Sequence, residues 1–537
     1  MSELGQLRQL LSVYFDESEL KSLTFDLGLD YEMLPGPTKG DKARELVAAM
    51  WRGGRLEELV GYGRQLRPNV DWPDLAAAPV PGAPPPSPRP PQASPATTPS
   101  AVAPPSAVAN PFTYGNPISD PDRFFGRSRE VEQVFNRLRN AEGESSSIVG
   151  GRRIGKSSLL NYIANPDVRR QYGMDPAHST FVYVDLQMVD NQTTPARLWQ
   201  RLLSQMNREC RDEELAARLE QLIAAASFDN FSLADLFDVV DAKGRHIVFL
   251  LDEFENVTSN PNFDPGFFYG LRSLAIQHSL SLVTSSRHEL IELTHSQAVR
   301  SSPFFNIFAN INVRLFSEAE VARLVNASLD GTGVEFTEEE LVTLAEIAGG
   351  HPFFLQAAGH FLFDAHADYA QAGRRQEAWL RAFHAEVGPH LAHFWRTTDQ
   401  PGQVTLMLLA LLSRREGGRP TFEAAALEQY YPRAGQNLAK LVRLGYVAET
   451  GGRYALFSSA YRDWIAAELR SSGESPAGQT AAEPARDSLS KMPTDRKKAL
   501  AATSERVVPG YRPLLVALIE QAGDLAQTVT LIREGLA

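Results

Sequence analysis

The sequence predicts a multidomain protein: an N-terminal α-helical bundle and an α/β core on a parallel sheet, with further helical segments after it. Three observations predict it. At 537 residues the chain is too long for one hydrophobic core. A Pro/Ala/Ser/Thr stretch between Pro73 and Pro111 and a polar tract from about Ser471 to Pro509 divide it into three parts. The large middle part holds short apolar runs that end in Gly150, Asp252 and Ser285, the pattern of strands covered on both faces with polar tips at one edge.

Composition narrows the function classes. A 43% hydrophobic content with 22% charged residues describes a globular chain, not a fibrous or wholly disordered one. A formal charge of -12 argues against an overall grip on nucleic acid or anionic lipid, and leaves only a local basic patch open. Cys210 is the single cysteine, so no internal disulfide is expected. The start MSELGQLRQLL lacks a basic segment followed by an apolar one, and no run nears the roughly 20 apolar residues of a membrane span. A cytoplasmic protein without a membrane partner is expected.

Residues 1–72 read as a helical bundle. Leu7, Leu10, Leu11 and Tyr14 keep helical spacing, and Asp16-Glu17-Ser18-Glu19 is an acidic variant of a capping box before Leu20, Leu23, Phe25 and Leu27. Gly28 closes that helix. Ala43, Leu46, Val47 and Met50 form another stripe, and Leu56, Leu59, Val60 and Leu66 a last one. Nothing here carries chemistry, which suits a protein-binding module. Asp26, Asp30, Lys42 and Arg44 read as a solvated face. Residues 73–111 read as an extended tether.

The stretch SSSIVGGRRIGKSSLLNYI, residues 145–163, contains Gly150-x4-Gly155-Lys156-Ser157 between a short buried strand and a helix. That is the setting a phosphate-binding loop needs. Gly150 and Gly155 let the backbone curl, so that N–H groups from Gly150, Gly151, Arg152, Arg153, Ile154, Gly155 and Ser158 face a phosphate at the helix N-terminus. Lys156 would reach the β/γ-phosphates and the Ser157 hydroxyl would bind Mg²⁺.

Downstream, HIVFLLDEFENV places Asp252 and Glu253 at the tip of the apolar run Ile247–Leu251. Asp252 would support Mg²⁺ and Glu253 would polarise an attacking water. The run SLSLVTSSRHEL is a further strand ending in Ser285, Ser286 and Arg287, the last a candidate positive charge for a γ-phosphate. Phe353 and Phe354 read as core.

The N-terminal blocks FDESELKSLTFDLGLDYEMLPG, KARELV and RPNVDW resemble bacterial effector-associated, death-domain-like modules. That resemblance implies homotypic contact with an effector protein through residues 1–72. Residues 112–471 resemble STAND-class NTPases, the signal-transducing branch of the AAA-like P-loop ATPases. FFGRSREVEQV looks like their opening segment, which implies that Phe125, Gly126 and Arg127 lie against adenine. Ser286 matches their polar sensor position. Gly350-His351-Pro352 matches the Gly-x-Pro signature that brings the lid onto the base, making His351 and Pro352 nucleotide contacts. The resemblance implies ATP as the nucleotide, with Mg²⁺. It also implies a core over 112–316, a lid over 317–400 and a winged helix over 401–471.

The winged helix is read from QVTLMLLALLS, AGQNLAKLVRLGYVAE and GGRYALFSSAYRDWI. Nine basic residues against six acidic ones over residues 401–471, with only Lys440 and Arg443 on the candidate recognition helix, favour a regulatory clamp over a DNA reader. Residues 472–509 read as a flexible linker. Residues 510–537 read as one or two amphipathic helices that pack on the body or dock a partner.

The expected function is an ATP-hydrolysing signalling switch, self-associating into an oligomer and recruiting a separate effector, with conflict or immune-like signalling as the context the resemblance implies. A DNA-handling ATPase of the origin-recognition type is the alternative, and a scaffold with structural nucleotide a third reading.

Overall fold

The computed structural model describes residues 39–52 and 55–67 with scattered positions around them, residues 109–470 apart from 141–142, 211, 227 and 417–418, and residues 482–537 apart from 506 and 508. Two compact units result, Met1–Pro105 and Ser106–Ala537. The tether expected from Pro73, the capping residues Asp16 to Ser18, and Gly28, Asp26 and Asp30 lie outside the described residues.

In the first unit the helices Lys39–Arg52 and Leu56–Leu66 bury Ala43, Leu46, Met50, Leu59 and Val60 in one cluster with Leu7, Leu11, Phe15, Leu23 and Leu27. Burial of such a stripe stabilises a bundle that its short helices would not sustain alone. Trp72 closes the cluster. It meets Phe15 edge-on at 6.2 Å, its indole N–H donates to the Arg67 carbonyl at 3.2 Å, and a Cβ on Gly63 would come within 2.4 Å of its ring.

The second unit is built on five parallel strands: β1 (Ser146–Val149), β2 (Ser179–Asp185), β3 (His246–Asp252), β4 (Leu280–Ser286) and β5 (Ala309–Asn312). Their order is β2-β3-β4-β1-β5, so β4 stands between the strand before the glycine loop and the strand before the acidic pair. Ile148, Phe249, Leu250, Leu282 and Val283 are fully buried, as a sheet covered on both faces requires. Register then sets Val149 beside Ser286, and Leu251 beside Thr284. The carboxyl tips of β1, β3 and β4 therefore lie side by side at one edge, where open α/β sheets bind ligands.

Beyond β5 the chain is largely helical. Capping boxes at Ser317 with Glu320 and at Thr337 with Glu340 start the helices Glu318–Leu329 and Glu338–Ala348. Pro352–Asp368 and Ala372–Thr397 follow, and Gln400–Glu416 is buried along most of its length. A three-stranded antiparallel sheet, β6 (Phe422–Glu423), β7 (Val447–Thr450) and β8 (Arg453–Leu456), encloses the helix Ala434–Arg443 and leads into Ser459–Glu468.

The stretch 472–509, expected to be a flexible linker, instead holds the helices Ala482–Lys491 and Thr494–Ser504. Arg496 donates to the Ile519 and Glu520 carbonyls at 3.0 and 2.7 Å, and Leu500 is fully buried, so tertiary packing organises a segment poor in apolar residues. The helices Arg512–Gln521 and Leu525–Leu536 pack on the body. Gly535 lies so close to Leu411 that a Cβ would meet its side chain at 2.8 Å.

Candidate functional site

The glycine loop follows β1 and ends where the helix Lys156–Ala164 begins, with Gly155 at φ 99 as its N-cap. Only glycine holds that conformation without strain. Arg153 also adopts a left-handed backbone, φ 60, which costs a non-glycine residue about 1–2 kcal/mol. Lys156 is buried, and its Nζ donates to the Gly150 and Gly151 carbonyls at 3.0 and 3.1 Å. Desolvation holds its ammonium below the usual lysine range, opposed by Glu253, Glu255 and Asp252.

A cavity of about 240 Å³ opens above this loop. Arg152, Arg153, Ile154, Gly155, Lys156, Ser157 and Ser158 form its floor, Phe125 and Arg127 one wall, Pro352 and Phe353 another, and Glu253 one end. Phe353, expected to be core alone, is buried and also faces this cavity, with the Arg153 guanidinium 4.4 Å from its ring centroid. Tyr114 and Gln356 also line the cavity, and the Gln356 carbonyl oxygen accepts the Thr113 N–H at 3.0 Å. Ser158 Oγ accepts the Ile118 N–H at 3.0 Å, tying the opening segment to the loop.

Arg127 is a buried strut. Its guanidinium donates to the carbonyls of Arg314 and Ile154 and stands 4.4 Å over the Phe316 ring, and burial lowers its pKa to about 10. Gly126, at φ 72, turns the chain into that position and packs against Phe316.

Asp252 is buried beside the cavity. Its Oδ1 accepts the Ser285 hydroxyl and the Glu253 N–H, and its Oδ2 accepts the Tyr183 hydroxyl at 3.0 Å. Burial and the neighbouring carboxylate push the Tyr183 phenol up. Glu253 itself has φ 53, a kink that turns its side chain from the strand line into the cavity. Desolvation first, then Glu255, raises its pKa to about 7.

Ser286, the expected sensor, donates its hydroxyl to the His288 carbonyl at 2.6 Å. Ser285, one residue earlier, is the hydroxyl that meets Asp252 and also accepts the Glu253 N–H at 3.1 Å. Arg287 is held by Glu255, with Nε and backbone N at 3.0 and 3.2 Å from one carboxylate oxygen.

Gly150, Gly151 and His351 stand just outside the cavity. His351 is fully buried among Phe354, Phe394 and Phe457, 5.0 to 5.9 Å between ring centroids, and neither ring nitrogen has a hydrogen-bond partner among the described residues. Burial lowers its pKa to about 3, with the nearby charges of Arg127, His390 and Arg153 adding to the effect against a contact from the Arg152 backbone.

A buried lysine returned onto its own loop, a left-handed glycine at a helix start and an aromatic-walled cavity fit a nucleoside triphosphate. Residues 140–404 match the family model described as Novel STAND NTPase 2. Residues 7–68 match Effector-associated domain 7. The central domain belongs to the STAND NTPases. A search of curated proteins returned no match.

Among solved structures, the chain resembles the Walker-type ATPase PABY2304 of Pyrococcus abyssi, at 13% identity over 65% of this chain and 98% of that one, TM-score 0.43. It also resembles the Aeropyrum pernix ORC2 protein in its ADPNP–ADP complexes, at 15% identity over 64% and 95%, TM-score 0.42. A third is domain III of the Thermotoga maritima replication initiation protein DnaA, at 17% identity over 50% and 98%, TM-score 0.33. Among the described residues no helix is long and apolar enough to cross a membrane.

Tyr183 and Glu255 are the neighbours of this candidate site that sequence reasoning missed. Ser285 was named with Ser286 at the strand end, and it is Ser285, not the expected Ser286, that meets Asp252. Tyr183 is one polar ring in an apolar strand, which its exposure to the sheet tip alone distinguishes.

Proposed function

We propose that this protein is an ATP-binding and ATP-hydrolysing signalling switch that assembles on activation and presents its effector-associated domain to a separate effector. The observation that carries the reading is the convergence of Lys156, Ser157 and Glu253 on one aromatic-walled cavity. Backbone amides from Gly151 to Ser158 would hold the phosphates, with Lys156 transferring its hydrogen bonds from the loop carbonyls to them. Ser157 and Asp252 would hold Mg²⁺, which when bound supplies charge neutralisation at the phosphates. Glu253, with its pKa near neutrality, suits a base that takes a proton from water. Arg287 would face the γ-phosphate, and Phe125 and Phe353 would flank the adenine.

Residues 401–471 would form a winged helix acting as a clamp on the loop. Three contacts support this. Leu444 lies against Gly151, a Cβ on Gly445 would meet Ile154 at 3.3 Å, and Arg443 pairs with Glu289 and Glu292. Lys440 is paired with Asp399 at 3.0 Å, so both basic residues of the helix Ala434–Arg443 already meet carboxylates, which speaks against the DNA-handling alternative. Nucleotide contacts would bias the clamp between closed and open forms, and clustering would multiply a weak death-like contact made by residues 1–72. Prokaryotic conflict signalling is the context we assign.

The test is nucleotide-dependent assembly of purified protein by light scattering, with magnesium and ATP. Wild type should assemble and Lys156→Ala should not. Equal assembly by both would end the switch reading.

A further inference from the structure

We propose that Glu255 is a positioning residue that holds Arg287 by one edge of its guanidinium and leaves the two terminal nitrogens for the phosphate side of the site. The inference rests on the hydrolytic reading above.

The chain from 252 to 255 sends each side chain to a different place. Asp252 meets Ser285 and Tyr183, Glu253 enters the cavity, Phe254 is buried in the core, and Glu255 meets Arg287. The positive φ of Glu253 produces this fan.

Glu255 is only 5% exposed at its side chain, whereas Arg287 is 45% exposed. A buried carboxylate is costly unless its oxygens are well partnered. Here Oε1 alone accepts, from Nε and from the Arg287 backbone N–H. Oε2 is buried with no hydrogen-bond partner, and neither terminal nitrogen of Arg287 has one, among the described residues. A pair built for stability alone would use the guanidinium fork in two parallel bonds. This pair uses one oxygen, fixing the direction of the arginine while leaving the fork open. The Gly150 N–H donates to the Ser286 carbonyl at 3.2 Å and Val149 stands opposite Ser286, so Arg287 leaves its strand directly beside the start of the glycine loop.

The experiment is a double-mutant cycle on ATP turnover with wild type, Glu255→Ala, Arg287→Ala and the double variant, each checked for folding by its melting curve. Glu255→Ala should lower kcat about 10- to 100-fold with KM changed less than about threefold, and should cost nothing further once Arg287 is gone. Glu255→Gln, which keeps an acceptor oxygen for Nε, should recover part of the loss and serves as the comparison should the alanine variant not fold. Independent, multiplying losses would overturn the inference and leave the hydrolytic reading standing, as would a Glu255→Ala loss confined to KM. A wild type that binds ATP but never turns it over would overturn both.

Discussion

The carbonyl oxygen of Leu444 lies so close to Gly151 that a Cβ added to the glycine would stand 2.0 Å from it. The obstacle is backbone at the end of the helix Ala434–Arg443, not a side chain that swings aside. Gly151→Ala should therefore push that helix and the hairpin after it off the loop. Amide hydrogen exchange over residues 438–456 should quicken about tenfold or more, with little change in the cavity's far wall. Unchanged exchange there would show that the contact yields without opening.

Lys156→Ala removes the buried ammonium from the loop. Magnesium-dependent affinity for ATP, measured with a fluorescent analogue, should fall by about 10- to 100-fold, the worth of a charged hydrogen bond or two. Binding within a factor of two of wild type would count against the proposed phosphate position.

Glu253→Gln keeps shape and loses the base. Turnover should drop by about 10²- to 10⁴-fold while ATP binding survives. Equal loss of both would point to a structural role for the kink instead.

Acidification acts through His351. Its folded pKa of about 3 lies below the ordinary value of 6.5, so the neutral ring is what the closed fold accepts. The stability it contributes is fully present above pH 6.5 and is lost as pH falls from 6.5 towards 3, at about 1.4 kcal/mol per unit. Arg127, with a pKa of about 10, and Arg153 place positive charge near the ring, and His390, itself lowered to about 4, gains its own near the bottom of that window. Urea midpoints between pH 7 and 5 should fall for wild type and fall less for His351→Phe. Parallel slopes would exclude the imidazole as the source.

What the sequence made legible were features written in adjacent residues. The glycine loop and the run Ile247–Leu251 carry their own spacing and hydropathy, so β1, β3 and the cavity floor could be read directly. Partners brought in by the sheet could not. Tyr183 is 69 positions from Asp252 and reaches it only because β2 and β3 run side by side in register. Ser285 and Ser286 look alike in sequence, and strand alternation alone decides which meets Asp252. The helices within 482–504 were missed because alanine, lysine and serine carry little periodic signal, and their partner, the helix Arg512–Gln521, lies further along the chain.

The walls of the cavity come from within residues 113–127, 152–158, 316–324 and 352–356 and from Glu253, stretches far apart along the polypeptide. No one of them makes a pocket alone. A ligand seated there would act as a staple through all of these stretches, so the free energy of its binding and that of keeping them together are one quantity seen from two sides. Dissociation half-life would then serve as a direct gauge of how firmly the molecule is shut.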